Sequence, residues 1–364
     1  MSYSDRMARV RARLSDLGQD VALLSLGADL PWLTGYRAMP LERLTMLVLP
    51  TDGEATLVVP RLEAPRVELI PGLFSLRPWD ETEDPVALVA DLVGRRRRLA
   101  VSDRTWATFV LQLQARLPEA GWLAASVVTG PLRAVKDRDE VAALRRASDA
   151  ADRVAARLQA GDIALIGRTE AQVSAELGRR LLAEGHDAVN FAIVGSGPNS
   201  ASPHHEPGPR VIGPGEAVVC DFGGTLDGYC SDITRTVFTG PPPPEFRHLY
   251  SVLQRAQAAA VEAAVVGTPC EDVDGVARRL IEAGGYGPHF IHRTGHGIGM
   301  EEHEDPYLVG GNCQALVAGH AFSVEPGIYL EGRWGARIED IVVATEAGPE
   351  PLNTVTHDLA VVES

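Results

Sequence analysis

Apolar residues recur along this chain with two different periods, and the change of period divides it. Through residues 1–130, short β-rich runs (VALLSL at 21–26, TMLVLP at 45–50, ATLVVP at 55–60) alternate with helical stretches such as 7–17. That texture predicts a small α/β domain. From Lys136 it becomes a long amphipathic helix, with Val141, Leu144, Ala147, Ala151, Val154 and Leu158 at three- and four-residue steps. The boundary therefore falls near 130–137, giving segments 1–132 and 133–364. TEAQ at 169–172 has the form of a capping box, and further helices are expected over 246–264 and 273–283, the latter stopped by Gly284. Strand-like segments at 190–195, 216–238, 290–299, 319–330 and 335–345 lie between them. Their order predicts an α+β fold, a curved antiparallel sheet covered by helices and preceded by the smaller α/β domain.

Composition narrows the function classes. The 364 residues are 45% hydrophobic and 23% charged, as in a soluble globular protein. With 49 acidic against 34 basic residues, the net charge of -15 repels phosphate backbones and anionic lipid, so neither nucleic acid nor membrane is an expected partner. The opening MSYSDRMARVRARL lacks the apolar core of a secretory signal. Cys220, Cys230, Cys270 and Cys313 show no CxxC spacing, so the expectation is a cytoplasmic protein with free thiols. The run Arg95 to Arg98 reads as a solvated connection, and PPPP at 241–244 as a stiff loop before a helix.

Chemistry concentrates in the second segment. In EAVVCDFGGTLDGYCSDITRTVF at 216–238, two β-rich runs flank a turn, and a hairpin brings Asp221 and Asp232 together. Asp221 follows the apolar run Val218, Val219, Cys220, where a carboxylate is costly unless it is paired or bound to a metal. The pattern returns near the C-terminus, where Glu325 and Glu339 lie in two strand-like runs joined by a Gly-containing loop. Between the two hairpins, Gly295, Gly297 and Gly299 alternate around His296, allowing close approach of backbone or ligand. Four carboxylates and one imidazole suit Mn, Co, Zn or Fe. Their four negative charges are balanced by two divalent cations, a pair able to activate water and polarise a carbonyl.

Six motifs in order, DFGG at 221–224, GYCSDITRT at 228–236, TGHGIG at 294–299, HEDP at 303–306, VEPGIY at 324–329 and ARIED at 336–340, resemble the metal-dependent aminopeptidase, prolidase and creatinase ("pita-bread") family. The likeness is greatest to bacterial Xaa-Pro dipeptidases. It implies that Asp221, Asp232, His296, Glu325 and Glu339 hold two divalent ions, Mn first, with Asp232 and Glu339 bridging. A bridging hydroxide would then attack the carbonyl before proline, with Glu325 carrying the proton to the leaving nitrogen. His204 would contact substrate and His303 would stabilise the tetrahedral intermediate. The adjacent His205 leaves the first of these open, and His204 is favoured because it directly follows Pro203. Arg337 would support the metal carboxylates. Tyr229 and Thr234 match positions near the site, and read equally well as a packed aromatic and a β-former. His292 lies close enough to His296 to join the candidates. The resemblance also implies small proline-containing peptides as substrates and a homodimer.

The match has a gap. Some prolidases clamp the dipeptide carboxylate with an arginine after the HExP motif, whereas HEDP here is followed by Tyr307, and 307–324 contains no arginine. Arg37 or Arg43, in GYRAMPLER, is the expected substitute, from its own or a partner subunit. Aminopeptidase P acting on Xaa-Pro-Xaa peptides is the alternative reading, followed by a non-catalytic pita-bread binding protein. Methionine aminopeptidase and creatinase fit less well.

Overall fold

The computed structural model describes residues 1–363 and divides into two compact units, Met1–Arg133 and Ala134 onward. The first unit contains α1 (Tyr3–Asp16), α2 (Asp29–Thr34), α3 (Pro85–Val93), α4 (Ala107–Arg116) and α5 (Ser126–Ala134). Its strands are β1 (Val21–Leu24), β2 (Met46–Pro50), β3 (Thr56–Pro60), β4 (Ser75–Trp79), β5 (Arg98–Val101) and β6 (Gly121–Ala124). They form one mixed sheet in the order β4-β3-β2-β1-β5-β6. Val21, Leu23, Val48 and Val58 of the sheet pack with Val86, Val89 and Val93 of α3 and Leu113 of α4. The arginine run stays at the surface, where Arg97 and Arg98 donate their backbone N–H groups to Asp20, each at 2.9 Å.

The second unit starts with α6 (Arg138–Gln159), capped by Asp137, whose carboxylate accepts from the N–H groups of Asp139 and Glu140. The expected capping box opens α7 (Glu170–Ala183), with Thr169 accepting from the Gln172 N–H. Two further helices follow, α8 (Pro244–Ala263) and α9 (Cys270–Ala283), and the proline run ends as the entry to α8. The strands are β7 (Ala188–Ser196), β8 (Ala217–Leu226), β9 (Tyr229–Cys230), β10 (Ile233–Thr239), β11 (Gly295–Gly297), β12 (Glu304–Leu308), β13 (Ala321–Val324), β14 (Gly327–Leu330), β15 (Trp334–Arg337), β16 (Asp340–Thr345), β17 (Gly348–Pro351) and β18 (Ala360–Val362).

These strands make a sheet ordered β18-β10-β8-β7 with β9 on β8, a second ordered β12-β11-β13-β16-β17, and a separate β14-β15 hairpin. Helices α6 and α7 supply Val154, Leu158, Val173 and Leu177 to a core shared with Val218, Cys220 and Val237. Helices α8 and α9 supply Phe246, Leu253, Val273 and Ile281 to one shared with Phe322, Val324 and Val342. Instead of one continuous sheet, two five-stranded sheets meet at an isolated bridge between Thr234 and Glu339. The cysteines are unpaired, with Cys220, Cys230 and Cys270 buried.

Candidate metal centre

Each carboxylate reaches the centre by a different local device. Asp221 lies within β8, where the eight residues 217–224 are buried, and it pairs across the ladder with Thr234 on β10 and Ile193 on β7. Asp232 lies in the two-residue gap between β9 and β10. Glu325 and Glu339 sit at a matched break in the C-terminal hairpin. Val324 pairs with Asp340 below the break and Gly327 with Arg337 above it, so residues 325–326 face 338–339 outside either ladder. Pro326 has no N–H to continue the pairing, and the freed backbone of Glu339 donates instead to the Thr234 carbonyl at 3.2 Å. His296 sits on β11, whose backbone runs too close to its neighbours to admit side chains on either side of it. A Cβ at Gly295 would lie 1.8 Å from the Ser323 carbonyl oxygen, and one at Gly297 2.1 Å from that of Asp305.

One donor atom each from Asp232, His296 and Glu339 lies within 4.8 Å of the other two. His296 Nε2 is 3.2 Å from Glu325 Oε1 and 3.8 Å from Asp232 Oδ2. Its Nδ1 is 3.1 Å from the Gly297 carbonyl, which can only accept, so the neutral ring carries its lone pair on Nε2. Asp221 Oδ2 accepts from Arg337 Nη2 at 2.5 Å, while its Oδ1 is buried with no hydrogen-bond partner. Thr234 Oγ1 donates to Glu339 Oε2 at 2.6 Å and accepts from Arg337 Nε at 3.0 Å. The four carboxylates, His296 and Arg337 line one cavity of about 540 Å³, together with Phe191, Ile193, Pro203, His204, His292, Arg293, Glu302 and His303.

The electrostatics of this cavity call for cations. Burial, followed by the neighbouring carboxylates, holds the acids of Asp232 and Glu339 well above the usual range. Asp221 is raised for the same reasons, with Arg337 opposing. Burial also pushes Glu325 up, but the hydrogen bond and charge of His296 in its protonated form, followed by His292 and Arg337, bring the carboxyl down to about 2. Five carboxylates, Asp221, Asp232, Glu325, Glu339 and Glu302, against the guanidiniums of Arg293 and Arg337 leave a formal -3 in the wall of the cavity. One divalent ion reduces this to -1, and two bring it to +1. An orphaned buried carboxylate oxygen, three convergent donors and an oxygen-rich set with one imidazole nitrogen all fit such ions.

The sequence profile of metallopeptidase family M24 matches residues 142–346, and that of the creatinase/prolidase N-terminal domain matches residues 6–135. The chain belongs to metallopeptidase family M24. It is 45% identical over 365 residues to the probable dipeptidase PepE of Mycobacterium tuberculosis, covering 99% of this chain and 96% of that protein. Among solved structures, dipeptidase PepE from Mycobacterium ulcerans superposes with a TM-score of 0.93 at 46% identity, covering 100% of this chain and 98% of that one. Recombinant prolidase from Thermococcus sibiricus gives 0.94 at 36%, with full coverage of both chains. Both expectations drawn from the motifs, the pita-bread family and its two-domain fold, hold.

Within this M24 domain the structure sorts the expected residues. Asp221, Asp232, His296, Glu325, Glu339, His204, His303 and Arg337 share the cavity, and Thr234 stands behind Glu339. His205 is elsewhere: its Nε2 lies 2.8 Å from the buried Glu170 carboxylate, which also accepts from the Ser196 N–H and Asn199 Nδ2. Tyr229 also lies outside the lining. Its hydroxyl donates to Glu140 at 2.9 Å and its ring packs with Leu144 and Ile298, the packed-aromatic reading. Arg37 and Arg43 belong to the first unit, where Arg37 lines a pocket with Tyr36 and Arg66, and Arg43 pairs with Glu81 at 2.7 Å.

Other residues in or beside the cavity were not singled out by the motifs. Tyr329, inside VEPGIY, accepts from Arg337 Nη1 at 2.9 Å and donates to His292 Nε2 at 2.9 Å, the His292 Nδ1–H being directed to the Arg293 carbonyl. Arg293 directly precedes TGHGIG, so adjacency to a motif was the available signal. For Phe191 and Ile193, on the edge strand β7, no signal existed, since they read as ordinary β-formers.

Proposed function

We propose that this M24 enzyme hydrolyses the peptide bond preceding proline in Xaa-Pro dipeptides, using two divalent ions, Mn before Co, Zn or Fe. The observation that carries the reading is the buried set of Asp221, Asp232, His296, Glu325 and Glu339, with an unsatisfied carboxylate oxygen, beside an apolar wall of Phe191, Ile193 and Pro203 that suits a prolyl ring. The names of the similar PepE and prolidase proteins support the dipeptide class. When bound, the ions supply Lewis acidity to the scissile carbonyl and make water a nucleophile at neutral pH.

The chain's own groups do the rest. Glu325, ionised at neutral pH, takes a proton from the attacking water and returns it to the prolyl nitrogen as the C–N bond breaks. His303 is held neutral, its pKa lowered by burial and then by His296 and Arg293, so it can donate an N–H to the oxygen that becomes negative in the transition state. His204 lines the cavity and offers a second donor or acceptor to the substrate. Arg337 fixes Asp221 and, through Thr234, Glu339. The family resemblance extends the reading to a homodimer, and the unpaired cysteines support a cytoplasmic setting.

Hydrolysis of Ala-Pro beside Ala-Pro-Ala, each with Mn²⁺ and after chelation, tests the proposal. Metal-dependent cleavage confined to the dipeptide is expected. Preference for the tripeptide moves the reading to aminopeptidase P, and inactivity on both with Mn²⁺, Co²⁺ and Zn²⁺ overturns it in favour of a binding protein.

A further inference from the structure

A dipeptide brings a free carboxylate into a cavity whose wall already carries five, so selectivity for so short a substrate needs a cation with donors to spare. The lining holds two guanidinium groups. Arg337 is committed: Nε to Thr234, Nη1 to Tyr329 and the Pro203 carbonyl, Nη2 to Asp221. Arg293 differs. Its guanidinium carbon stands 4.4 Å from the centroid of the Tyr307 ring, and among the described residues it forms no side-chain hydrogen bond or ion pair. Stacking on an aromatic face fixes the plane of the fork while leaving its N–H edge open.

We propose that Arg293, held against Tyr307, is the specificity-determining residue that receives the C-terminal carboxylate of the substrate. This assignment rests on the dipeptidase reading above. Arg293 precedes the metal-ligating candidate His296 by three residues, which keeps the two Cα atoms within about 10 Å along even a fully extended chain. The same cavity carries Glu302, which shares no hydrogen bond with Arg293 and would repel a carboxylate; a bidentate guanidinium pair outweighs that repulsion at contact distance. Tyr307 occupies the position after HEDP where some prolidases place an arginine, so here the ring presents the cation from the preceding segment.

The test compares an acid with its amide. For Arg293→Met, KM for Ala-Pro should rise about 10- to 100-fold, the worth of one or two charge-assisted hydrogen bonds, while KM for Ala-Pro-amide changes less than about threefold. Arg293→Lys should recover part of the difference, and Tyr307→Leu should raise KM for the acid by a smaller factor. Equal changes on acid and amide, or none, overturn the assignment. Binding of a reduced-bond analogue, with CH₂–NH in place of the scissile amide, separates this failure from failure of the dipeptidase reading. Wild-type protein that prefers the analogue acid over its amide, with the preference erased in Arg293→Met, supports the clamp even if Ala-Pro is never cleaved. Wild-type protein that cleaves Ala-Pro and binds acid and amide equally overturns the clamp alone.

Discussion

Two buried arginine–aspartate pairs, Arg235–Asp340 and Arg337–Asp221, lie in these strands and behave in opposite ways. Alternation along β10 and across the 339–340 junction sends Thr234 and Glu339 to the cavity and Arg235 and Asp340 to the other side. On that far side, Asp340 accepts from Arg235 at 2.8 Å, Gln257 at 3.1 Å and His357 at 2.6 Å, and Arg235 also donates to the carbonyls of Thr234, Glu339, Val355 and Thr356. Although burial raises it, Asp340 ends below its usual range because Arg235 and His357 stabilise the anion. On the cavity side, Asp221 has Arg337 but keeps an orphaned oxygen, and with Asp232 and Glu339 it is pushed upward. On the proposed reading, the closed cluster holds the fold and the open one holds cations. Unbalanced charge, not burial or ion pairing, marks the functional site.

Changing one acid in each cluster should widen the contrast. Asp232→Asn removes a proposed metal ligand, and peptidase activity should fall on the order of a thousandfold, as when a group acting on transition-state charge is deleted. The chelated variant should nevertheless melt no lower than chelated wild type, because one of four crowded carboxylates has become neutral. A large loss of Tm without metal would break the comparison. Asp340→Ala should do the reverse, costing about 3–5 kcal/mol by leaving Arg235 buried without its counter-ion, while metal stoichiometry in the folded fraction is unchanged. Denaturant unfolding that reports less than about 1 kcal/mol would show the far cluster to be dispensable.

Titration should separate the clusters next. Acids raised in the folded state stabilise it at low pH, and that contribution is lost as pH climbs above their unfolded values of 3.8 and 4.5. Chelated protein should therefore lose Tm as pH rises from about 4.5 toward neutrality, with Glu339→Gln flattening the slope. Asp340 contributes in the other direction, its stabilisation present above 3.8 and fading as pH falls below it. A Tm profile of the chelated enzyme that is unchanged by Glu339→Gln would contradict the raised acids.

The division into domains and most helices were legible because they follow period and capping. The TEAQ box opens α7, and the apolar steps from Val141 to Leu158 fall within α6. The paired carboxylates were legible as polar residues bordering buried β-runs. What stayed hidden depends on contacts between distant segments. The C-terminal hairpin read as continuous, and only the bridge from Glu339 to Thr234 shows that it breaks at the two glutamates. Arg235 and Asp340 lie inside quoted motifs, yet nothing local distinguishes their face from that of Thr234 and Glu339. Arg293 stayed unremarked because its role depends on Tyr307, fourteen residues on by sequence number and stacked against it in space.

Adjacent histidines repeat the contrast at a smaller scale and give the smallest expected effect. His204 lines the cavity, whereas His205 faces Glu170, a fully buried carboxylate held below its usual range because hydrogen bonds from His205, Ser196 and Asn199 overcome the cost of burial. The carboxylate ties the start of the 197–208 segment to its end, and between them Pro203 offers its carbonyl to Arg337. His205→Asn should cost about 1–2 kcal/mol of stability, one hydrogen bond to a charged acceptor, and change kcat/KM less than tenfold. His204→Asn should leave stability within about 0.5 kcal/mol, as for a change away from packed or bonded groups, and lower kcat/KM by more than His205→Asn does. Parallel measurement of unfolding and of Xaa-Pro hydrolysis on both variants decides between the two. If His205→Asn is the stable and catalytically weaker variant, the division between a ring that faces substrate and a ring that holds the loop is reversed.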